Sequence, residues 1–168
     1  VNLDKSLQEV GNVQLVAVRN LSLADMMHDG LRAVAFRAII AAQTNNEQEK
    51  TASLEEFREF SENFRTYLDN VDALPLREET RQAIANVRPG LDAYLSSTGK
   101  LIDLARSGEA AQALATVPQF QIAFKELEGA MAELGDLIEQ NARASVANAN
   151  KAGASARHAI KKWILIRL

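Results

Sequence analysis

Along the first quarter of the chain, Leu3, Leu7, Val10, Gln14, Ala17, Leu21, Ala24, His28, Leu31, Ala35, Ala38 and Ala42 recur in alternating steps of three and four. Such steps keep side chains on one face of an α-helix, so the pattern predicts a single amphipathic helix from Asn2 to about Thr44. At 1.5 Å per residue it is roughly 60 Å long, unusual for a globular helix. The polar run Thr44-Asn45-Asn46-Glu47-Gln48-Glu49 interrupts it, and Ser53-Leu54-Glu55-Glu56 reads as a capping box that starts a second helix. That helix carries Leu54, Phe57, Phe60, Phe64 and Leu68 on one face. It ends between Asn70 and Leu74, because Pro75 disfavours helical geometry in the residue before it.

A third helix follows from Leu76, with Thr80, Ile84, Val87, Leu91, Tyr94, Thr98, Leu101 and Ala105 as its apolar line, a kink expected at Pro89-Gly90, and an end at Ser107-Gly108. Glu109 to Ala115 reads as a helical turn or two within the connection. Pro118 then occupies a first-turn position and opens a last helix that runs to the C-terminus. Its upper part presents Phe120, Phe124, Leu127, Met131, Leu134 and Ile138. From Asn141 to Ala156 alanine and small polar residues take over, so packing there is shallow and register is weakly held. The prediction is an all-α, antiparallel up-down four-helix bundle with long first and last helices that overhang at the same end.

Composition agrees with this reading. Hydrophobic residues make up 47 % of the 168 positions but aromatics only 5 %, which indicates small aliphatic packing in one domain. A net charge of −3 excludes the basic footprint of a nucleic-acid-binding domain. The absence of cysteine removes disulfides, thiolate chemistry, zinc fingers and covalent haem attachment. Neither His28 nor His158 has a glutamate three residues before it, as a di-iron bundle needs, and no glycine-rich phosphate loop or nucleophile elbow occurs. No catalytic residue, metal or cofactor is therefore expected, and function is expected to come from binding.

The chain starts with Val1, and near its end Lys161-Lys162-Trp163 precedes Ile164-Leu165-Ile166. A basic and aromatic pair before an apolar run is the beginning of a membrane span, although it stops far short of the ~20 residues a span needs. The expectation is a segment of a longer protein: residues 1–160 form the bundle, and residues 161–168 are the stub of a second transmembrane helix or foreign residues appended to the chain.

Binding chemistry is carried by arginines beside the apolar lines. Arg32 follows Leu31 directly, Arg37 lies further round the first helix, and Arg81 and Arg88 stand two turns apart beside Thr80 and Val87. Counting along antiparallel neighbours, with the bend at Leu74 to Leu76 taken as one end, places Arg32, Arg65, Arg81 and Arg88 at similar heights. Guanidinium groups bind carboxylates bidentately and keep their charge when partly desolvated, so such a cluster suits a small di- or tricarboxylate. Thr51 and Tyr94 are candidates for neutral hydrogen bonds to it. The same arginines can instead pair with Glu78, Glu79, Asp69 or Asp29, and His28 fits a core position flanked by Asp25 and Asp29.

The Met26-Met27-His28-Asp29-Gly30-Leu31-Arg32 stretch, the run from Tyr94 through Leu101 to Ala111, and the Trp163 stub together resemble the periplasmic four-helix-bundle ligand-binding domain of bacterial methyl-accepting chemotaxis receptors. This resemblance implies a homodimer anchored in the inner membrane through flanking helices, with the domain in the periplasm. It also implies first-helix arginines that hold ligand carboxylates at a subunit interface. Arg32 and Arg37 have the matching spacing, whereas Ala41 stands where the family has a third arginine. Receptors for citric-acid-cycle carboxylates such as malate and citrate are the nearer comparison, with Arg81, Arg88, Arg32, Thr51, Tyr94 and Arg37 as the ligand-binding set. The competing expectations are the sensor domain of a two-component histidine kinase and a receptor domain that recognises a ligand-loaded binding protein.

Overall fold

The computed structural model describes the backbone of residues 3–166 and the side chains of residues 3–158. Four long rods account for nearly all of them. The first consists of α1 (Leu3–Glu9), a π-helical turn (Val10–Gln14) and α2 (Leu15–Gln43); the others are α3 (Glu47–Asp72), α4 (Glu78–Arg106) and α5 (Ala110–Ile166). Connections of a few residues force antiparallel neighbours, so the all-α up-down bundle predicted from the sequence is the fold observed. α2 packs against α3, α4 and α5, while α3 and α5 lie diagonally opposite. Because α3 and α4 are short, only α1 and α5 continue below the 73–77 connection, and the bundle narrows to a two-helix stalk.

The core follows the predicted lines closely where side chains are large. Thr80, Ile84, Val87, Leu91, Tyr94, Thr98, Leu101 and Ala105 of α4 are all buried, as are Phe120, Phe124, Leu127, Met131, Leu134 and Ile138 of α5. Among the described residues of the stalk, α5 buries only Ser145, Ala149 and Ala152 beside Asn141. The two distal turns end as the chemistry demands: Asn45 and Gly108 take the left-handed conformation, with φ of 51° and 79°.

Three boundaries differ from expectation. α3 begins at Glu47, where the Asn46 side chain accepts from the Glu49 amide at 3.1 Å; Ser53 is no cap but a buried mid-helix residue that donates to the Glu49 carbonyl. α5 begins at Ala110, so Pro118 lies inside the helix, and the helical stretch expected in the connection is simply its first turns. In the stalk the π-turn inserts an extra residue per turn. The apolar line is thereby displaced: Ser6 is buried and Leu7 is 55 % exposed.

Among the described residues no helix is long and apolar enough to cross a membrane. The proposed membrane stub at 161–168 lies outside the described side chains.

Candidate functional site

His28 and Arg32 sit one turn apart on α2 and face α5, where Phe120, Gln121, Phe124, Lys125 and Glu128 project at helical spacing. Between the two helices Arg32, Phe120, Gln121, Phe124, Lys125 and Glu128 line a polar groove of about 330 Å³. The Arg32 guanidinium lies 4.7 Å from the centre of the Phe124 ring, a cation–π contact. Among the described residues it has no carboxylate within ion-pair distance. With Lys125 alongside, the groove concentrates positive charge that the fold does not neutralise, apart from Glu128 at its lower edge.

The floor beneath Arg32 is aromatic and drawn from all four rods. The His28 imidazole stacks on Phe124 at 4.1 Å and 9°, and meets Tyr94 of α4 and Phe64 of α3 edge-on at 5.1 and 6.4 Å. His28 Nε2 lies 3.2 Å from the Phe124 carbonyl oxygen, and the Tyr94 hydroxyl donates to the His28 carbonyl at 3.0 Å. Burial pushes the His28 pKa below its ordinary value, against the raising influence of the Phe124 hydrogen bond and of Asp29, Asp25 and Glu128. Burial likewise pushes the Tyr94 hydroxyl up, so it stays a neutral donor.

Of the other residues expected at the site, Tyr94 joins the floor beneath Arg32 and the rest are dispersed. Arg37 bridges α2 to α3 through Glu56 at 2.6 Å and Glu49 at 3.4 Å. Arg88 holds Asp69 and Asp72 at 2.9 and 2.8 Å, and these carboxylates raise its pKa. Arg65 is paired with Asp92 at 2.8 Å. Arg81 is exposed and donates to the Leu76 carbonyl. Thr51 is exposed near the distal turn, donating to the Glu47 carbonyl, and Tyr94 is wholly buried with its hydroxyl engaged.

The common height expected for four arginines is corrected as well. Counted from the distal helix ends, Arg32 lies about eleven residues down α2 and Arg81 about twenty-five down α4, a separation of roughly 20 Å. The distal turns, not the 73–77 bend, are the proper origin for the count, because all four rods meet there. Arg65 and Arg88 do share a level, but each is occupied by an aspartate. Gln121, Lys125 and Glu128 were missed. The available signal was their position beside the Phe120 and Phe124 line, at the height of Arg32 once α5 is counted from its true start.

A family model described as a four-helix-bundle sensory module for signal transduction matches residues 1–152. No curated protein and no solved structure matches the chain.

Proposed function

We propose that this chain, which belongs to the family of four-helix-bundle sensory modules for signal transduction, senses small di- or tricarboxylates such as malate or citrate in the α2–α5 groove. At the family level it is the sensory module of a membrane-bound chemoreceptor, a non-enzymatic signalling domain. The carboxylate ligand, the homodimer, the periplasmic location and the inner-membrane anchor are our reading. The observation that carries it is Arg32, a guanidinium at the groove mouth with an aromatic face beneath it, Lys125 beside it and, among the described residues, no carboxylate within ion-pair distance. A ligand carboxylate fills that vacancy bidentately, and a second one is within the class of anions that Lys125 and Gln121 can hold.

A second copy of the chain is supported by α2 itself. Leu15, Met26 and Ile40 are about 60 % exposed and, with Ser22 and Ala33, repeat in steps of four and seven on the side away from the core. Dimerisation along that line brings a second Arg32 and Arg37 near the groove. Ligand binding then favours one placement of α2 relative to α5, and it does so only through unequal affinity for the two placements. The small side chains of the stalk make axial shifts inexpensive, since nothing large must disengage.

Calorimetric titration with malate, citrate and aspartate tests this. Binding by one of them that falls at least tenfold in Arg32→Ala, yet persists in the double variant Arg81→Ala/Arg88→Ala, is the expected result. Full affinity in Arg32→Ala removes the site from the groove; loss only in the double variant moves it to the α3–α4 level.

A further inference from the structure

Leu3, Leu7, Val10, Gln14 and Ala17 keep the three-and-four spacing of one continuous α-helix. The stalk adopts a different setting, because Val10–Gln14 is a π-turn in which the Leu15 amide donates to the Val10 carbonyl, five residues back. One surplus residue is absorbed there and α1 is turned accordingly: Ser6, 5 % exposed, faces α5, while Leu7 is 55 % exposed. Leu3 lies level with Gly153 and Glu9 with Ser145, so Ala149 stands at the height of Ser6. This setting has a gain and a cost. The Ser145 hydroxyl donates to Glu9 Oε1 at 2.8 Å. Against that, Leu7 stays in water, and Gln14 at the end of the turn is 6 % exposed, with its Oε1 buried and without a hydrogen-bond partner among the described residues.

We propose that the π-turn is a joint with two settings, one with Ser6 against α5 and the other, α-helical throughout, with Leu7 in its place. Closing Val10–Gln14 into an α-turn returns the surplus residue to α1, which then rotates about 100° and advances about 1.5 Å beneath a stationary α2, one residue's worth of α-helix. Each place along α5 meets the next residue of α1: Leu7 replaces Ser6 at the height of Ala149, and Val10 replaces Glu9 at Ser145. Apolar burial is gained and the Glu9 bond given up, while the Ser145 hydroxyl turns to the Asn141 carbonyl four residues back, the usual alternative for a serine within a helix. Nothing large obstructs the movement. α5 presents Ser145, Ala149 and Ala152 to the stalk, and a Cβ on Gly11 would meet nothing within 4 Å. Because the first rod and α5 alone continue below the 73–77 connection, a turn of α1 changes the face that this pair presents.

The test uses the ligand-free chain, so its outcome is separate from that of the carboxylate reading. It compares the natural chain, Ser6→Lys, and Ser6→Lys with Gly11 deleted. An ammonium group is not held enclosed against Ala149, so Ser6→Lys disfavours the observed setting. Deleting Gly11 removes the surplus residue and leaves α1 on its observed face with no π-turn to close. All these changes lie in the two-helix stalk, away from the core where the four rods meet, so folding of the bundle is not at stake.

Three NMR readings follow the stalk: broadening of the Leu7 methyls by a soluble gadolinium chelate, their NOEs to the Ala149 and Ala152 methyls, and amide hydrogen exchange along α1. The expected result is a Leu7 open to the chelate in the natural chain, and in Ser6→Lys a shielded Leu7 with NOEs to Ala149 and Ala152. In the deletion variant Leu7 stays open, and α1 amides exchange about tenfold faster than in Ser6→Lys. Leu7 still open to the chelate in Ser6→Lys, whether α1 frays or holds, overturns the joint. Shielding of Leu7 in both variants alike overturns it too, since the rotation would then not need the π-turn, as does a Leu7 already shielded in the natural chain and unmoved by Ser6→Lys.

Discussion

Replacing Gly30 with alanine sets two effects of opposite sign against each other. An added Cβ at this position stands 2.8 and 2.9 Å from two carbons of the Phe60 ring, whereas non-bonded carbons settle at about 3.5–4.0 Å. Alanine for glycine within a helix contributes about 1 kcal/mol of stability through backbone entropy. Overpacking of this kind costs about 1–3 kcal/mol. Two ring carbons must move, but Phe60 is only partly buried and can retreat towards solvent, which keeps the cost near the middle of that range, about 2 kcal/mol, so the net is a destabilisation of about 1 kcal/mol. For a chain of this size that lowers the melting temperature by about 2–4 °C.

Two other helical glycines calibrate the estimate. A Cβ on Gly99 meets the Phe57 ring at 3.3 Å, a contact relieved by a small shift, and one on Gly129 meets nothing within 4 Å. Gly99→Ala is expected to be near neutral, and Gly129→Ala to stabilise by about 0.5–1 kcal/mol. Urea unfolding monitored by circular dichroism gives all three values. Gly30→Ala as stable as Gly129→Ala would refute the steric argument, because the propensity gain would then stand unopposed. Adding Phe60→Leu to Gly30→Ala should restore part of the loss beyond additivity, since the two residues touch.

Three further outcomes are expected. Tyr94→Phe removes the hydroxyl's bond to the His28 carbonyl, which still accepts its own helix amide, so unfolding free energy should fall by about 0.5–1.5 kcal/mol with no change in carboxylate affinity. Arg88→Ala should cost below about 1 kcal/mol and less at high salt, because Arg88, Asp69 and Asp72 are each more than a third exposed. Asn141→Ala, which removes the buried 2.9 Å bond to the Thr80 hydroxyl at the top of the stalk, should cost about 1–3 kcal/mol in the same urea assay.

How much could be read from the sequence depended on side-chain size. The α4 and α5 lines were legible because Ile84, Leu91, Leu127 and Leu134 are large, regularly spaced and of one period. Where local motifs have two outcomes, legibility failed. A serine followed by glutamate three residues later describes a cap, but Ser53 bonds back to the Glu49 carbonyl within α3 instead. A proline suits a first turn, yet Ala110 to Ala115 are themselves good helix formers, so α5 starts before Pro118. Leu7 was misplaced because a π-turn leaves no mark in a pattern of threes and fours.

For the site, the sequence established which residue types were available: arginines beside an apolar line, an imidazole on that line, and no thiol. It also named Asp69 among the carboxylates an arginine could pair with, as Arg88 does. What it could not supply was axial register between helices, and register depends on where each rod begins and on how side chains interlock across the interface. Tertiary structure alone therefore decided that Arg65 and Arg88 are neutralised by aspartates, that Tyr94 is sealed inside, and that Arg32 meets Phe124 and Lys125 across a groove. Periodicity along one helix is a local property of the chain, whereas the partner of a charge is set by packing among all four.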